Sequence, residues 1–367
     1  MAEVTGIEWT TSTWNPIAGQ TGRWHCVKIS EACTNCYAAA LNMRWGGPDY
    51  HKGADSVRVN YGTARDPLKY ARRLRAGKSA GKNHTAGDPC YVFVCSMTDL
   101  HGDFVPDAMR AAVYGIAALC PEITFQILTK RPANRLDFLT RLEAAAHERG
   151  RTPADVCLAY ASREFGAYSS DGMREPSGAL VGWGLCDKRP LAGSVPWPLP
   201  NVWEGCTVEN QKRADERCPI LIKTPAAVRW ISCEPVLGNV DFSPYLPGLD
   251  WIVTGGESGR GSRPTPPDWF RQVRDQCAGT QTAHYFKQWG DWCPADQLPP
   301  KESHRKPKPT ARTERLDCGT VSIRFGKKIA GHYLDGVIAR DFPSDTPTPA
   351  GRTPAGPLQG LLPLGGE

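Results

Sequence analysis

Short hydrophobic runs alternate with stretches of helical periodicity along most of this chain, which predicts β-strands separated by α-helices. After the run at residues 91–95, for example, apolar side chains recur at Val113, Ile116 and Leu119, with Pro106 near the predicted helix start. Residues 7–10 are a candidate for an additional first strand. The other predicted strands are residues 91–95, 124–128, 201–208, 228–233, 250–254 and 284–287.

Strands that alternate with helices build parallel sheets, so the pattern predicts an α/β protein with a full or partial (β/α) barrel. A doubly wound sheet is the alternative. The barrel is predicted to span residues 1–296, with a Gly-, Ser- and Pro-rich inserted loop at about residues 155–200. A basic C-terminal extension follows at residues 297–340, and residues 341–367 lack periodicity, which predicts an irregular, disordered tail.

Composition places the chain among globular proteins, since 40% of its residues are hydrophobic and 22% are charged. No apolar stretch is long enough for a membrane span, and the start of the chain lacks the pattern of a signal peptide. We therefore expect a cytoplasmic protein without a membrane partner. The net charge of +6 favours an anionic partner such as nucleic acid or a nucleotide, although ordinary surface charge explains it equally well.

Three of the 14 cysteines form a compact motif, in which Cys26 precedes Cys33 by seven positions and Cys36 follows three positions later. Three thiolates suit zinc or an iron–sulfur cluster. A four-iron cluster would keep one iron open for a ligand, whereas His25 as a fourth ligand would complete a closed zinc site. The remaining cysteines include several in apolar patterns, which predicts buried thiols at Cys95, Cys120, Cys206, Cys233 and Cys277.

Polar residues and glycines follow the predicted strands, and the carboxyl ends of barrel strands converge on one mouth. Asp99 suits a ribose or an amine, or it caps a helix. Lys130 with Arg131 suits a phosphate, or it is a solvated surface pair. The backbone at Gly255 and Gly256 could approach a ligand closely, or form a tight turn. The full set at this mouth is Ser96, Asp99, Thr129, Lys130, Thr207, Glu209, Glu234, Gly255, Gly256, Glu257 and Lys287.

The cysteine run and several other short motifs together resemble the phage-type three-Cys-motif family, which is regarded as radical-SAM-like. The matching motifs keep their order over about residues 5–340. Besides residues 26–38, they are IEWT at 7–10, TWNP at 13–16, SMTDL at 96–100, QILTKRP at 126–132, NVW at 201–203, VENQ at 208–211, SCEP at 232–235, GGESG at 255–259 and FKQWG at 286–290.

This resemblance implies a radical SAM barrel with the cysteine loop after the first strand. It implies a [4Fe–4S] cluster on Cys26, Cys33 and Cys36, with S-adenosylmethionine on the open iron. The implied activity is modification or repair of a nucleic acid base or nucleotide, with an electron donor and, as a further candidate, a phage-encoded partner protein. The alternative is a non-catalytic zinc-binding protein that binds nucleic acid, and a third reading is a metal-free accessory protein.

Three features depart from the usual radical SAM pattern. Six residues, instead of three, separate the first two cysteines, and Asn35 stands where an aromatic residue normally precedes the last one. The Gly-Gly-Glu segment follows a late strand. The residues expected to contact the cofactor are Tyr37, Ser96, Asp99, Thr129, Lys130, Glu209, Glu234, Gly255, Gly256, Glu257 and Lys287.

Overall fold

A computed structural model describes residues 5–20, 23–47, 50–51, 57–166, 195–298 and 311–343. None of the helices in these residues is both long and apolar enough to cross a membrane. The strands are β1 (Ser12–Trp14), β2 (Ile17–Gly19), β3 (Val57–Val59), β4 (Tyr91–Val94), β5 (Thr124–Thr129), β6 (Val202–Thr207), β7 (Val228–Cys233), β8 (Trp251–Gly255), β9 (Ala283–Gln288), β10 (Trp292–Pro294), β11 (Thr313–Arg315) and β12 (Val321–Arg324). The helices are α1 (Tyr37–Arg44), α2 (Asp66–Arg75), α3 (Asp107–Leu119), α4 (Pro132–Glu148), α5 (Pro153–Phe165), α6 (Gln211–Lys223), α7 (Pro267–Cys277) and α8 (Lys327–Ala330).

Seven parallel strands form one curled sheet, a half-barrel with the order β1-β4-β5-β6-β7-β8-β9. The six predicted strands from residue 91 onward are all present, each within about two residues of the expected bounds. Because the order along the sheet follows the order along the chain, it contains no point of reversal. The doubly wound alternative is therefore wrong, and the partial barrel is confirmed.

The concave side of the half-barrel is filled by large rings rather than left as a channel. Trp9, Trp203, Trp230 and Trp251 pack against one another there, with ring centroids between Trp9 and Trp230 5.2 Å apart. Gly205 makes room for them, because a Cβ at this position would lie 2.3 Å from the Trp230 indole. Helices cover the convex side, so the strands of the sheet are buried on both faces.

The prediction of a first strand at residues 7–10 was wrong, since the strand at this edge of the sheet is β1, which starts at Ser12. The side chain of Trp9 turns into the aromatic core and donates a hydrogen bond from Nε1 to Glu234 Oε2 at 3.3 Å. The Thr10 hydroxyl donates to the carbonyl of Tyr91 at 3.1 Å. These long-range contacts hold the segment in a turn ahead of the strand.

The stretch predicted as an inserted loop begins with helix α5, so the loop cannot start at residue 155. Thr152 caps this helix in a reciprocal capping box with Asp155, and Pro153 occupies the first turn. Gly166 ends it with a left-handed backbone, φ 63°. The rest of the predicted loop falls mostly on residues 167–194, which lie outside the described residues.

The C-terminal extension packs on the half-barrel. Strands β10, β12 and β11 form a small antiparallel sheet. The tail predicted from residue 341 starts with an ordered contact, because Phe342 stacks on Trp251 with ring centroids 5.1 Å apart. The basic residues at 299–310 and the tail from residue 344 lie outside the described residues.

Candidate functional site

Asp99 joins the ends of two neighbouring strands at the carboxyl rim, by which we mean the loops that follow the carboxyl ends of the half-barrel strands. Its Oδ1 accepts from the Thr129 hydroxyl at 2.7 Å and from the backbone N–H of His101 at 3.0 Å. Its Oδ2 accepts from the backbone N–H of Lys130 at 3.2 Å and from Arg131 Nη1 at 3.1 Å. These four bonds occupy the carboxylate, so Asp99 organises the rim.

The cysteine loop, residues 25–36, lies across this rim. At one side the Thr98 hydroxyl donates to the carbonyl of His25, and Arg131 Nη2 donates to the carbonyl of Val27 at 3.1 Å. At the far side Asn35 Nδ2 donates to Glu257 Oε2 at 3.0 Å. The loop therefore bridges the ends of β4 and β5 to the end of β8.

Of the three cysteines in this loop, Cys33 is buried and Cys26 and Cys36 are partly buried. Burial raises the pKa of the Cys26 thiol to about 12, and the Asp99 carboxylate adds to the shift, while Arg131, Lys130 and Cys36 have smaller effects. Cys26 is therefore protonated at neutral pH, and a bound metal would have to displace that proton. Cys33 is buried, with its sulfur 3.9 Å from the Ser30 hydroxyl.

Within the described residues, no three His, Cys, Asp or Glu side chains are grouped closely enough to hold a metal ion. The ring of His25 packs edge-on against Phe104, with centroids 4.8 Å apart. The three thiols and His25 thus do not converge as four ligands of one zinc ion must. In a four-iron cluster the cysteine sulfur atoms can lie farther apart than around one zinc ion, because each thiolate binds a different iron atom.

The Gly-Gly-Glu segment, residues 255–257, contacts Arg263, the cysteine loop and the backbone that follows β9. Glu257 Oε1 accepts from Arg263 Nη2 at 2.5 Å, and Oε2 accepts from the Arg263 backbone N–H at 2.8 Å as well as from Asn35. Burial would raise the pKa of the Glu257 carboxyl, but these hydrogen bonds outweigh it and lower the pKa below its ordinary value. A Cβ at Gly256 would lie 1.9 Å from the Trp289 carbonyl oxygen, so this glycine permits close backbone packing.

Glu234 and Lys287 form a second rim pair, with Lys287 Nζ 2.8 Å from Glu234 Oε1. Gly255 leaves space for this carboxylate, because a Cβ there would lie 2.6 Å from the same oxygen. Tyr37 and Ser96 also meet, since the Tyr37 hydroxyl donates to the Ser96 carbonyl. The structure therefore brings the predicted rim residues together, mostly in contact with one another.

Two of the predicted residues keep unused hydrogen-bonding capacity. Glu209 is fully buried, and its Oε2 accepts from Arg217 Nη1 at 2.9 Å, but its Oε1 has no hydrogen-bond partner among the described residues. Lys130 Nζ makes one long contact, 3.4 Å, to the Thr207 hydroxyl. A buried acceptor without a partner is destabilising, so Glu209 is a candidate ligand-binding residue of this rim, and Lys130 is a second candidate.

Sequence reasoning missed three residues that build this site. Asn35 and Arg263 hold the cysteine loop to the rim through Glu257, and Arg217 pairs with Glu209. Asn35 has a local signal, because it lies between two of the motif cysteines. The arginines have none, since their partners are defined only by the folded rim.

The half-barrel and the loop across its rim define an α/β protein with a cysteine-bearing site at the carboxyl ends of its strands. The chain belongs to the family described as a protein of unknown function, DUF5131, whose sequence profile matches residues 4–343. No curated protein and no solved structure is significantly similar to it.

Proposed function

We propose that the chain is a radical SAM enzyme in which Cys26, Cys33 and Cys36 hold a [4Fe–4S] cluster. The observation that carries this proposal is the position of the cysteine loop, which is tied across the carboxyl rim by Arg131 and Asn35. In barrels of parallel strands the active site lies at this end. Glu209 on the same rim has a buried oxygen with no hydrogen-bond partner in the described part of the chain, which fits a site that binds a polar ligand.

The ligand proposed for this rim is S-adenosylmethionine. When bound, the reduced cluster and this cofactor supply one-electron reductive cleavage of a carbon–sulfur bond and, through it, abstraction of a hydrogen atom from a substrate. The electron comes from a separate low-potential donor. The protein has to hold the cofactor, orient the substrate and keep water away.

Glu209 and Lys130 match the two charges of an amino acid group. Glu209 Oε1 would accept from the ammonium of the methionyl part, and the Lys130 ammonium would pair with its carboxylate. They follow neighbouring strands, β6 and β5. The other predicted contacts, such as Asp99 and Glu257, position the loop and the strand ends around them.

The aromatic core helps to confine the chemistry to the rim. Trp9 closes the concave side directly beneath the rim, where its indole donates to Glu234. Packing of this kind next to the rim is compatible with the exclusion of water that a reactive intermediate requires.

The proposed substrate is a nucleic acid base or a nucleotide. The net charge of +6 supports an anionic substrate. Modification and lesion repair are both compatible with hydrogen-atom abstraction.

Anaerobic reconstitution tests the proposal. Purified protein is assayed for iron, sulfide and zinc, then for 5′-deoxyadenosine after addition of S-adenosylmethionine and dithionite. We expect about four irons per chain, lost in Cys33→Ala and kept in Cys318→Ala, an exposed cysteine outside the loop. Stoichiometric zinc without iron would overturn the proposal in favour of the zinc-binding alternative.

The proposed role of Glu209 in binding S-adenosylmethionine is tested by a separate binding measurement. Glu209→Gln keeps the size of the side chain and removes its charge, so we expect weaker binding of S-adenosylmethionine by calorimetry, with iron content unchanged. Glu216→Gln on the exposed face of α6 is the matched control.

A further inference from the structure

Exposed apolar side chains are concentrated beside the candidate site. Within the described residues, five of the nine large exposed hydrophobic side chains lie on the cysteine loop and on helix α1 with its C-cap residue. A concentration of exposed apolar side chains on one segment is typical of an interaction site on a globular protein. This loop–α1 surface consists of Val27, Ile29, Tyr37, Met43 and Trp45.

The two aromatic rings of the loop–α1 surface are held in place. Trp45 is 45% exposed and packs on Trp24, with ring centroids 5.5 Å apart, while Arg23 Nε donates to the Trp45 carbonyl at 2.6 Å. Tyr37 is 49% exposed although its hydroxyl is bonded to the Ser96 carbonyl. Rings fixed with one part open to solvent are ready to stack on a flat ligand with little loss of entropy.

The charge around these rings is positive. Arg23, Lys28 and Arg44 are exposed on residues 23–45, and Glu31 is the acidic residue of this segment. Glu31 is neutralised by Arg213, whose Nε lies 3.1 Å from Glu31 Oε2. The surface therefore offers cations to a polyanion and rings to its bases, which is the combination that binds single strands.

We infer that the loop–α1 surface binds single-stranded nucleic acid, with unpaired bases stacked on Trp45 and Tyr37 and phosphates contacting Lys28 and Arg44. This inference rests on the proposed function and specifies its substrate as a polymer strand. A duplex hides its base faces, so the rings favour the single strand. Because Cys36 is the N-cap of α1, the strand would lie directly beside the motif cysteines.

The test is fluorescence anisotropy of the full-length chain with a labelled 15-nucleotide single strand and with the corresponding duplex. Both are measured before and after anaerobic reconstitution, at low and at physiological salt. We expect the single strand to bind more tightly than the duplex and Trp45→Ala to weaken it about tenfold. Arg44→Gln should lower the salt dependence. Tyr160→Ala removes an aromatic side chain stacked against Arg163 on α5 and should have no effect.

Thermal unfolding checks that Trp45→Ala remains folded. If Trp45→Ala is unfolded, the surface variant Arg44→Gln replaces it as the test of the binding surface. Equal affinity of the native chain and both variants, equal affinity for single strand and duplex, or no binding at low salt would each overturn the inference. This readout is separate from that of the proposed function. Iron and 5′-deoxyadenosine without strand binding would refute only the nucleic-acid-binding role of the loop–α1 surface. Strand binding without iron would refute only the proposed radical SAM activity.

Discussion

Asn35 shows how much of the candidate site depends on one side chain. Its amide donates to Glu257 Oε2 and, at 2.9 Å, to the carbonyl of Gly261, so the segment between Cys33 and Cys36 is anchored to the end of β8. No ordinary metal-site argument would select it, because an amide nitrogen is a donor and not a ligand. Its contribution is to hold the thiols against the rim.

Replacing Asn35 tests that contribution. Asn35→Ala removes two hydrogen bonds worth about 1 kcal/mol each, so the cysteine loop should open more often. We expect trypsin to cleave after the exposed Lys28 roughly thirtyfold faster, and reconstituted iron to fall. Thr34→Ala, at an exposed neighbouring position in the loop, is the control. Equal cleavage rates for Asn35→Ala and the native chain would contradict the anchoring role.

Glu257 gives the same anchor a pH dependence. Its pKa is lowered from 4.5, so its stabilising contribution is complete above pH 4.5 and is lost as the pH falls through the lowered value of the folded state. Glu257→Gln should reduce the free energy of unfolding at pH 7 by about 1–3 kcal/mol, and the difference should shrink below pH 4.5. Denaturant titrations of both proteins between pH 3 and 7 measure it. A difference that grows on acidification would contradict the assigned sign.

The rim residues that the sequence predicts and those that it does not differ in a physical way. Lys130 and Glu209 directly follow hydrophobic strands, so the sequence position alone places them at the mouth. Whether such a group is satisfied by the protein or left open is decided by partners far along the chain. Asp99 is saturated by Arg131, whereas one oxygen of Glu209 has no partner among the described residues.

At the scale of elements, the strands of the half-barrel from β4 onward were predictable because each is a short, mainly apolar run next to a stretch of helical periodicity. β1 was not, since it is short and two of its three residues, Ser12 and Thr13, are polar, yet all three residues are buried. Its position depends on pairing with β4 and on the turn that sends Trp9 into the core. These are tertiary effects that outweigh local propensity.

Strand β6 provides an element-scale prediction. Gly205 interrupts a buried strand because the Trp230 indole occupies the space of its side chain. Gly205→Ala should lower the free energy of unfolding by about 3 kcal/mol, the upper end for overpacking, because the indole is itself enclosed by other rings. In Gly6→Ala the new Cβ meets no atom within 4 Å, so this variant should change the free energy of unfolding little. Denaturant unfolding compares them, and an unchanged or raised stability of Gly205→Ala would contradict this packing.

For the whole molecule, the C-terminal segment completes the core at the amino-terminal side of the half-barrel. Phe342 stacks on Trp251 and on Tyr91, and Trp251 Nε1 donates to the carbonyl of Asp341 at 2.8 Å. The extension is therefore part of the fold. Trp251, which is fully buried, is covered by this segment.

Phe342→Ala tests this closure. We expect a loss of about 2 kcal/mol in the free energy of unfolding, less than for a fully enclosed ring because Phe342 is only partly buried. Water should reach Trp251, so the tryptophan emission should shift to longer wavelength. Val337→Ala, at a side chain that is 55% exposed, is the control. Unchanged emission would show that the segment does not shield the core.

The gap of the half-barrel is closed from both ends of the chain. The Tyr285 hydroxyl donates to the carbonyl of Glu8 at 2.9 Å, and the backbone N–H of Phe286 donates to the carbonyl of Ala339 at 2.7 Å. On the ribosome, residue 339 emerges long after the strands that it covers. A nascent chain therefore exposes its tryptophan-rich interior until residues 339–342 have emerged, and this interval is when it most needs a chaperone.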